Sequence, residues 1–168
     1  EVGPQSPIAC EAAALFCELT GMERVSWVNT GSEAVQASMR IARTVTGRDK
    51  VVSFAGSYHG NFDEVLVGRR PTAPGKDTQP TAPGVPLAST SNMIVLEYGA
   101  EAALEEIRRR SDDIAMVMVE PIQSRRPEFR PVEFLKELRA LTEEKGIVLL
   151  FDEVISGFRS RMGGAQEY

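Results

Sequence analysis

A continuous apolar run from Ile114 to Val119 is the feature that most constrains the fold of this chain. A strand with one face in water alternates apolar and polar residues, whereas a strand covered on both faces is apolar throughout. The run from Ile147 to Phe151 has the same character, and helical spacing predicts a helix between the two, from Pro131 to Lys145. A strand, a helix and a second strand in this order predict parallel strands joined by a right-handed crossover.

The rest of the chain continues this alternation of strands and helices. The sequence therefore predicts an α/β fold in which a mostly parallel sheet is covered by helices on both faces. The further predicted helices lie at 8–19, from the turn 29–32 to Gly47, and at 100–110. The further predicted strands lie at 25–28, 50–54 and 93–97.

Length and composition indicate one globular domain. The 168 residues are 42% apolar and 26% charged, which is enough chain for one sizeable core and too little for two domains. We therefore treat residues 1–168 as a single domain, and we expect it to be partial because neither end looks like a natural terminus. Residues 71–91 are rich in Pro, Gly and Thr, and we expect a surface excursion there because strand and helix patterns resume after them.

Charge and hydropathy exclude several classes of function. The net charge of −5 argues against nucleic acid as a main partner. No apolar run approaches the roughly 20 residues of a membrane helix, and no leader pattern is visible, so we expect a cytoplasmic protein. Cys10 and Cys17 would lie about 10 Å apart in one helix, which is too far for a disulfide and favours two buried thiols in a reducing compartment.

Three glycine-rich or polar loops follow predicted strands, at 29–33, 55–60 and 152–159. In parallel sheets, ligands bind at the carboxyl ends of the strands, where such loops lie. Gly31 and Ser32 open a predicted helix, whose free N–H groups and nearby hydroxyl suit a phosphate. The alternative is a simple capping box, with Thr30 as the cap and Glu33 three residues later.

Tyr58 and His59 follow the predicted strand 50–54. A tyrosine at this place could stack on a flat ring, and the alternative is a core aromatic beside a turn. His59 is the only histidine and lies where a ligand would lie. One histidine, no nearby cysteine and scattered carboxylates do not form a metal ligand set, so we expect no metal site.

Two carboxylates end buried strands. Asp152 follows four apolar residues, and a carboxylate at such a place is costly unless a positive group meets it. A protonated heterocyclic nitrogen would meet this need, and the alternatives are a helix cap or an ion pair with Arg159 or Arg161. Glu120 ends another strand, and the two carboxylates could also act as an acid–base pair.

Taken together, four segments resemble, in their order and spacing, those of class III aminotransferases. These aminotransferases are fold-type I enzymes dependent on pyridoxal 5′-phosphate. These segments are Val28-Asn29-Thr30-Gly31-Ser32-Glu33-Ala34, Tyr58-His59-Gly60, Val119-Glu120-Pro121, and Phe151-Asp152-Glu153-Val154 with Gly157-Phe158-Arg159. The stretches 3–7, 42–48 and 123–127 resemble the aminotransferase domains of hybrid polyketide/nonribosomal peptide synthetases. The chain is also similar to glutamate-1-semialdehyde aminomutases. The resemblance covers the central part of the family's large domain.

The resemblance implies pyridoxal phosphate as the cofactor and assigns roles to particular residues. Gly31 and Ser32 would hold its phosphate. Tyr58 would stack on one face of the pyridine ring with His59 beside it, and Val154 would pack on the other face.

By the same resemblance, Asp152 would bind the pyridine nitrogen and Glu120 would belong to the polar surroundings of the site. In many relatives a glycine and then Asn or Glu stand where this chain has Ser124 and Arg125. The family's Schiff-base lysine is expected after Tyr168, and this chain alone is expected to be inactive. None of the lysines in this chain stands at the position of the family's Schiff-base lysine. These lysines are Lys50, Lys76, Lys136 and Lys145.

The resemblance implies transfer of an amino group from an amino-acid donor to a keto substrate. In the synthetase branch the acceptor would be a β-keto acyl thioester on a carrier protein. The alternatives are an aminomutase of the glutamate-1-semialdehyde type and a non-catalytic α/β module that binds a phosphorylated ligand. The intact parent is expected to be a homodimer.

Overall fold

The computed structural model describes residues 6–69 and 78–167 of the chain. The helices are α1 Pro7–Thr20, α2 Gly31–Thr46, α3 Glu101–Arg109 and α4 Val132–Glu144. The strands are β1 Lys50–Phe54, β2 Val67–Arg69, β3 Thr78–Pro80, β4 Met93–Leu96, β5 Ile114–Val119 and β6 Val148–Phe151. Short 3-10 helices lie at Asp63–Val65, Leu87–Thr90 and Ala165–Glu167.

The main sheet has four parallel strands in the order β4-β1-β5-β6, which confirms the predicted parallel α/β architecture. β5 lies inside the sheet between β1 and β6, with Val117 opposite Val52 on one side and Leu149 on the other. β2 and β3 form a separate antiparallel pair. Because all four main strands run the same way, the loops that follow β1, β5 and β6 emerge at one edge of the sheet.

Helices cover the sheet on both faces, as predicted. Since successive side chains of a strand point to opposite faces, each strand contributes to two separate clusters of buried residues. The α2 side contains Val35, Met39, Ala42, Val51, Met93, Ala115, Met116 and Met118. The side of α3 and α4 contains, among others, Val52, Phe54, Ile94, Leu104, Ile107, Val117, Val119, Phe134 and Leu138.

The predicted strand at 25–28 is wrong, because the segment has no regular secondary structure. A strand needs a neighbour that accepts and donates its backbone hydrogen bonds, and no strand of the described residues pairs with this segment. Its aromatic residue packs elsewhere: the ring of Trp27 meets Phe16 of α1 edge-on, with centroids 5.9 Å apart.

Two further expectations need correction. The two cysteines are not buried as expected: Cys10 is exposed and Cys17 is half-buried, because α1 buries none of its residues within the described chain. Neither cysteine forms a disulfide.

Within 71–91, the sequence pattern missed β3, a three-residue strand that exists only through its pairing with β2. Residues 71–77 lie outside the described residues, and the surface excursion stays a prediction. Of the described helices, none has the length and apolar character needed to cross a membrane.

Replacing Leu138 by alanine is expected to lower the free energy of unfolding by about 2–5 kcal/mol, because the change leaves a cavity in a close-packed core. Leu138 in α4 is 0% exposed, whereas Leu87 in the 3-10 helix Leu87–Thr90 is 51% exposed. The matched variant Leu87→Ala should therefore change stability by less than about 0.5 kcal/mol. Urea unfolding followed by far-ultraviolet circular dichroism measures both. Equal losses in the two variants would contradict this assignment of the core.

Candidate functional site

A cavity of about 330 Å³ opens at the carboxyl ends of the strands, beside the first residue of α2. It is lined by the loops after β1, β5 and β6 and by the start of α2. The lining residues are Thr30, Gly31, Ser32, Val35, Tyr58, His59, Gly60, Glu120, Ser124, Arg125, Asp152, Val154 and Ile155. The structure thus brings together all seven residues proposed from the sequence as cofactor-binding.

The first turn of α2 is capped in the way that the alternative interpretation predicts. The hydroxyl of Thr30 accepts from the N–H of Glu33 at 3.2 Å, and the Glu33 carboxylate accepts from the N–H of Asn29 at 2.7 Å. Capping does not use the N–H groups of Gly31 and Ser32, which have no partner within a helix. The cap and an anion site are therefore compatible at the same helix end.

Glycines allow α2 to approach two loops closely. Gly60 has a φ of 118°, and a Cβ there would lie 2.7 Å from the hydroxyl oxygen of Ser32. The same Ser32 oxygen accepts from the N–H of Asn61 at 3.0 Å. A Cβ at Gly31 would lie 3.1 Å from a methyl group of Val154. Larger residues at either glycine would push the loops away from the start of α2.

Two exposed apolar side chains face the cavity. Tyr58 is 53% exposed and Val154 is 68% exposed, although both line the same concave space. The interpretation of Tyr58 as a core aromatic is therefore wrong. Half-exposed apolar side chains on a cavity wall can cover a flat ligand and lose water in doing so.

A buried pair of polar side chains belongs to this cavity. His59 Nδ1 lies 2.8 Å from Asp152 Oδ2, and the two side chains are only 3% and 6% exposed. The other Asp152 oxygen accepts from the N–H of Val154 at 3.2 Å. Asp152 therefore meets a histidine rather than the arginines considered from the sequence. His59 Nε2 is buried with no hydrogen-bond partner, so this face of the site has a polar atom left for a ligand or a water.

Glu120 joins two loops through its carboxylate. It accepts from the N–H of Tyr58 at 3.0 Å and from the N–H of Ser124 at 3.3 Å. The strands that end at Glu120 and Asp152 are neighbours, as considered from the sequence. Each carboxylate nevertheless has its own partners, which disfavours their use as one acid–base pair.

Tyr98 and Gln123 support the same loops, and neither was singled out from the sequence. The Tyr98 hydroxyl donates to the carbonyl oxygen of Pro121 at 2.9 Å. Burial, and then the nearby charge of Glu120, raise the pKa of Tyr98 above its ordinary range. Gln123 donates to the carbonyl oxygen of Ala55 at 2.9 Å while its own amide oxygen is buried without a partner. The sequence signals for Gln123 were its place just after a buried strand and its position in the stretch 123–127, and neither assigned it a role in the site.

Glu153 organises the end of the described chain. Its carboxylate accepts from the N–H groups of Ala165 at 2.6 Å and Gln166 at 3.1 Å, and from the hydroxyl of Ser156 at 2.8 Å. A carboxylate at the start of a helical turn satisfies N–H groups that have no other partner. This residue therefore ties the loop after β6 to the last 3-10 helix.

The lysines of the described residues lie away from the cavity. Lys50 is at the amino end of β1 and donates to Ser91 and Asn92. Lys136 and Lys145 pair with neighbouring glutamates, and Lys76 lies outside the described residues. Among the residues described, no group of three or more His, Cys, Asp and Glu is arranged to hold a metal ion.

The residues present fit a flat heterocycle that carries a phosphate. Free N–H groups at α2 and the Ser32 hydroxyl suit the phosphate. Tyr58 and Val154 flank the space in which a ring would lie. The buried carboxylate of Asp152, oriented by His59, suits a protonated ring nitrogen.

Comparison with known proteins agrees with this geometry. The family model described as aminotransferase class-III matches residues 3–166. Glutamate-1-semialdehyde 2,1-aminomutase of Methanothermobacter thermautotrophicus is 43% identical over 159 residues, which cover 94% of this chain and 37% of that protein. The chain therefore spans little more than a third of the length of this curated relative.

Solved structures show the same fold. An omega-transaminase from Sphaerobacter thermophilus matches with a TM-score of 0.88 and 31% identity, over 99% of this chain and 40% of that chain. A transaminase with PLP bound matches with a TM-score of 0.86 and 31% identity, over 98% of this chain and 39% of that chain.

Replacing Asp152 by alanine is expected to lower the free energy of unfolding by about 1–3 kcal/mol, because His59 then keeps a buried N–H without an acceptor. The control Asp112→Ala changes an exposed aspartate and should cost less than about 0.5 kcal/mol. Thermal or urea unfolding at neutral pH compares the two variants. If Asp152→Ala proves as mild as Asp112→Ala, the buried pair does not contribute as described.

Replacing Tyr98 by phenylalanine is expected to cost about 1 kcal/mol at neutral pH, because the carbonyl oxygen of Pro121 loses its donor. Above pH of about 10, the unfolded phenol releases its proton while the folded one keeps it. The folded state then binds more protons than the unfolded state, so stability falls as the pH rises. Urea unfolding between pH 7 and pH 11 should show a shallower alkaline fall in the variant, and identical slopes would refute this account of Tyr98.

Proposed function

Because this chain belongs to the class III aminotransferase family, we propose that it forms the cofactor cavity of an enzyme that moves amino groups with pyridoxal phosphate. The observation that carries the proposal is the buried His59–Asp152 pair in a cavity flanked by Tyr58 and Val154. The family depends on pyridoxal phosphate, and one solved neighbour is a transaminase with this cofactor bound.

The start of α2 would hold the phosphate. The N–H groups of Gly31 and Ser32 and the Ser32 hydroxyl offer three donors, and the positive end of the helix dipole adds to them. Gly31 and Gly60 keep the nearby backbone close to this point, because a side chain at either would collide with Val154 or Ser32.

Tyr58 and Val154 would cover the two faces of the ring. When bound, pyridoxal phosphate supplies an electron sink for negative charge that develops beside the amino-bearing carbon. Asp152 would favour the protonated form of the ring nitrogen, because a buried carboxylate stabilises a neighbouring positive charge. His59 would act through Asp152, since its Nδ1 contacts the carboxylate and fixes its direction.

Glu120 would position Tyr58 by accepting the N–H of that residue. None of the lysines in the described residues reaches the cavity, and the covalent lysine is proposed to follow Tyr168. This chain alone would then bind the cofactor without a covalent bond and would not complete a reaction.

Two reactions are open for the whole protein. The curated relative at 43% identity is named glutamate-1-semialdehyde 2,1-aminomutase, which supports movement of an amino group within one substrate. The neighbouring solved transaminases support transfer from an amino-acid donor to a keto acceptor. The narrower proposal of a carrier-bound β-keto acyl thioester rests only on the synthetase-like stretches 3–7, 42–48 and 123–127. The relatives therefore favour the aminomutase reaction.

We also propose that the whole protein is a homodimer. None of the residues of α1 is buried within the described chain, and the helix carries the exposed Ile8 and Leu15. An apolar helix left without a cover favours association with further protein surface.

Replacing Ser32 by alanine is expected to weaken pyridoxal phosphate binding to this chain about tenfold or more, because one hydrogen bond to a charged group is lost. The control Ser38→Ala alters a serine on the same helix whose hydroxyl donates only to the carbonyl oxygen of Ala34. Equilibrium dialysis, read by cofactor absorbance, gives both dissociation constants. No binding by the parent chain, or equal weakening in both variants, would contradict the proposed cavity.

The whole protein can be tested with a nitrogen-15 label. An aminomutase acting on labelled glutamate 1-semialdehyde should keep the label in its product even when unlabelled glutamate is in excess. In a second assay, with nitrogen-15 glutamate as the donor, a transaminase should instead pass the label from glutamate to a keto acceptor. Mass spectrometry of the products separates the two reactions, and a whole protein that moves no label in either assay would refute both.

A further inference from the structure

Arg125 lies on the wall of the cavity and has no use in the site described so far. Arg125 lines the cavity and is an exposed residue. No hydrogen bond or ion pair within the described part of the chain involves its guanidinium group. A guanidinium group offers five N–H donors in a planar fork that matches a carboxylate.

The charges that line the cavity make this arginine distinctive. Glu120 is occupied by two backbone N–H groups, and Asp152 by His59 and Val154. Within the described residues, no ion pair joins either carboxylate to Arg125. Among the described lining residues, Arg125 is the one side chain with a permanent positive charge.

Arg125 and the phosphate donors come from different elements of the chain. Arg125 follows Ser124, whose N–H is held by Glu120, and Glu120 also holds Tyr58. Ser32, at the start of α2, is instead held against Gly60 and Asn61. The phosphate donors thus belong to the start of α2 and the arginine to the loop after β5, and both line the same cavity.

We propose that Arg125 determines substrate specificity by binding a carboxylate group of the substrate. This inference rests on the proposed function, in which the remaining space of the cavity receives an amino acid or a keto acid. Arg125 would form paired hydrogen bonds with the carboxylate and hold the substrate in one orientation. Substrates without a carboxylate at this place would leave the guanidinium unpaired and would bind more weakly.

The neighbouring residue provides a matched control. Arg126 has the same charge and sequence surroundings, but its guanidinium lies over the ring of Phe129 at 4.7 Å from the centroid. It does not line the cavity. A general effect of lost positive charge would appear in both arginine variants, whereas a specific contact would appear in one.

The test measures glutarate binding to the 168-residue chain by titration calorimetry at constant ionic strength, with and without pyridoxal phosphate. Glutarate carries the carboxylates of an amino-acid substrate and has no amine with which to react. The variants are Arg125→Gln, Arg125→Lys and Arg126→Gln, each checked by circular dichroism and thermal unfolding. Cofactor affinity is measured separately by dialysis for every variant.

The expected result is a Kd for glutarate that rises about tenfold or more in Arg125→Gln and stays unchanged in Arg126→Gln. Arg125→Lys should recover part of the affinity, because it keeps the charge and loses the fork. Cofactor affinity should be the same in all variants.

Three results would overturn the inference. The first is a Kd for glutarate that is equal in the parent chain and in Arg125→Gln. The second is glutarate binding that weakens as much in Arg126→Gln as in Arg125→Gln. The third is a loss of cofactor affinity in Arg125→Gln as large as its loss of glutarate affinity. The last would assign Arg125 to the cofactor phosphate. A parent chain that binds glutarate through Arg125 but no cofactor would refute the proposed function and leave the carboxylate contact supported.

Discussion

The complete burial of β5 is the constraint on which the rest of the structure depends. All six residues from Ile114 to Val119 are inaccessible to water, so this strand must have strands on both sides and helices on both faces. β1 and β6 provide the lateral hydrogen bonds, while α2 and the pair α3 and α4 provide the covers. Because parallel strands end at one edge, the same constraint places Glu120 beside the loops after β1 and β6.

The site follows from how buried polar groups at that edge find partners. A carboxylate that leaves water must gain hydrogen bonds to offset the loss of solvation. Glu120 gains them from the backbone of Tyr58 and Ser124, and Asp152 gains them from His59 and the backbone of Val154. The bonds to Tyr58 and His59 join the loop after β1 to the ends of β5 and β6, so these contacts also fix the shape of the cavity.

The cavity separates its charges by task. The two carboxylates accept hydrogen bonds from within the chain, the start of α2 offers uncommitted N–H donors, and Arg125 adds a positive charge to the cavity lining. A ligand with a phosphate, a flat ring that bears a positive charge and a carboxylate in its neighbourhood would satisfy all three regions.

By itself, the sequence determined the α/β class and most helix and strand positions, because apolar periodicity and the order of strands and loops are local properties. The same order pointed to the loops that line the cavity, whereas the role of Val154 came only from the resemblance to class III aminotransferases. It also suggested a strand at 25–28, which failed because a strand exists only with a partner that local pattern cannot supply. Only the tertiary structure decided that Asp152 pairs with His59, that Glu120 holds Tyr58, and that Arg125 faces the cavity while Arg126 lies over Phe129. These outcomes depend on distances between residues far apart in the chain, and such distances are set by the packing of the sheet and its loops.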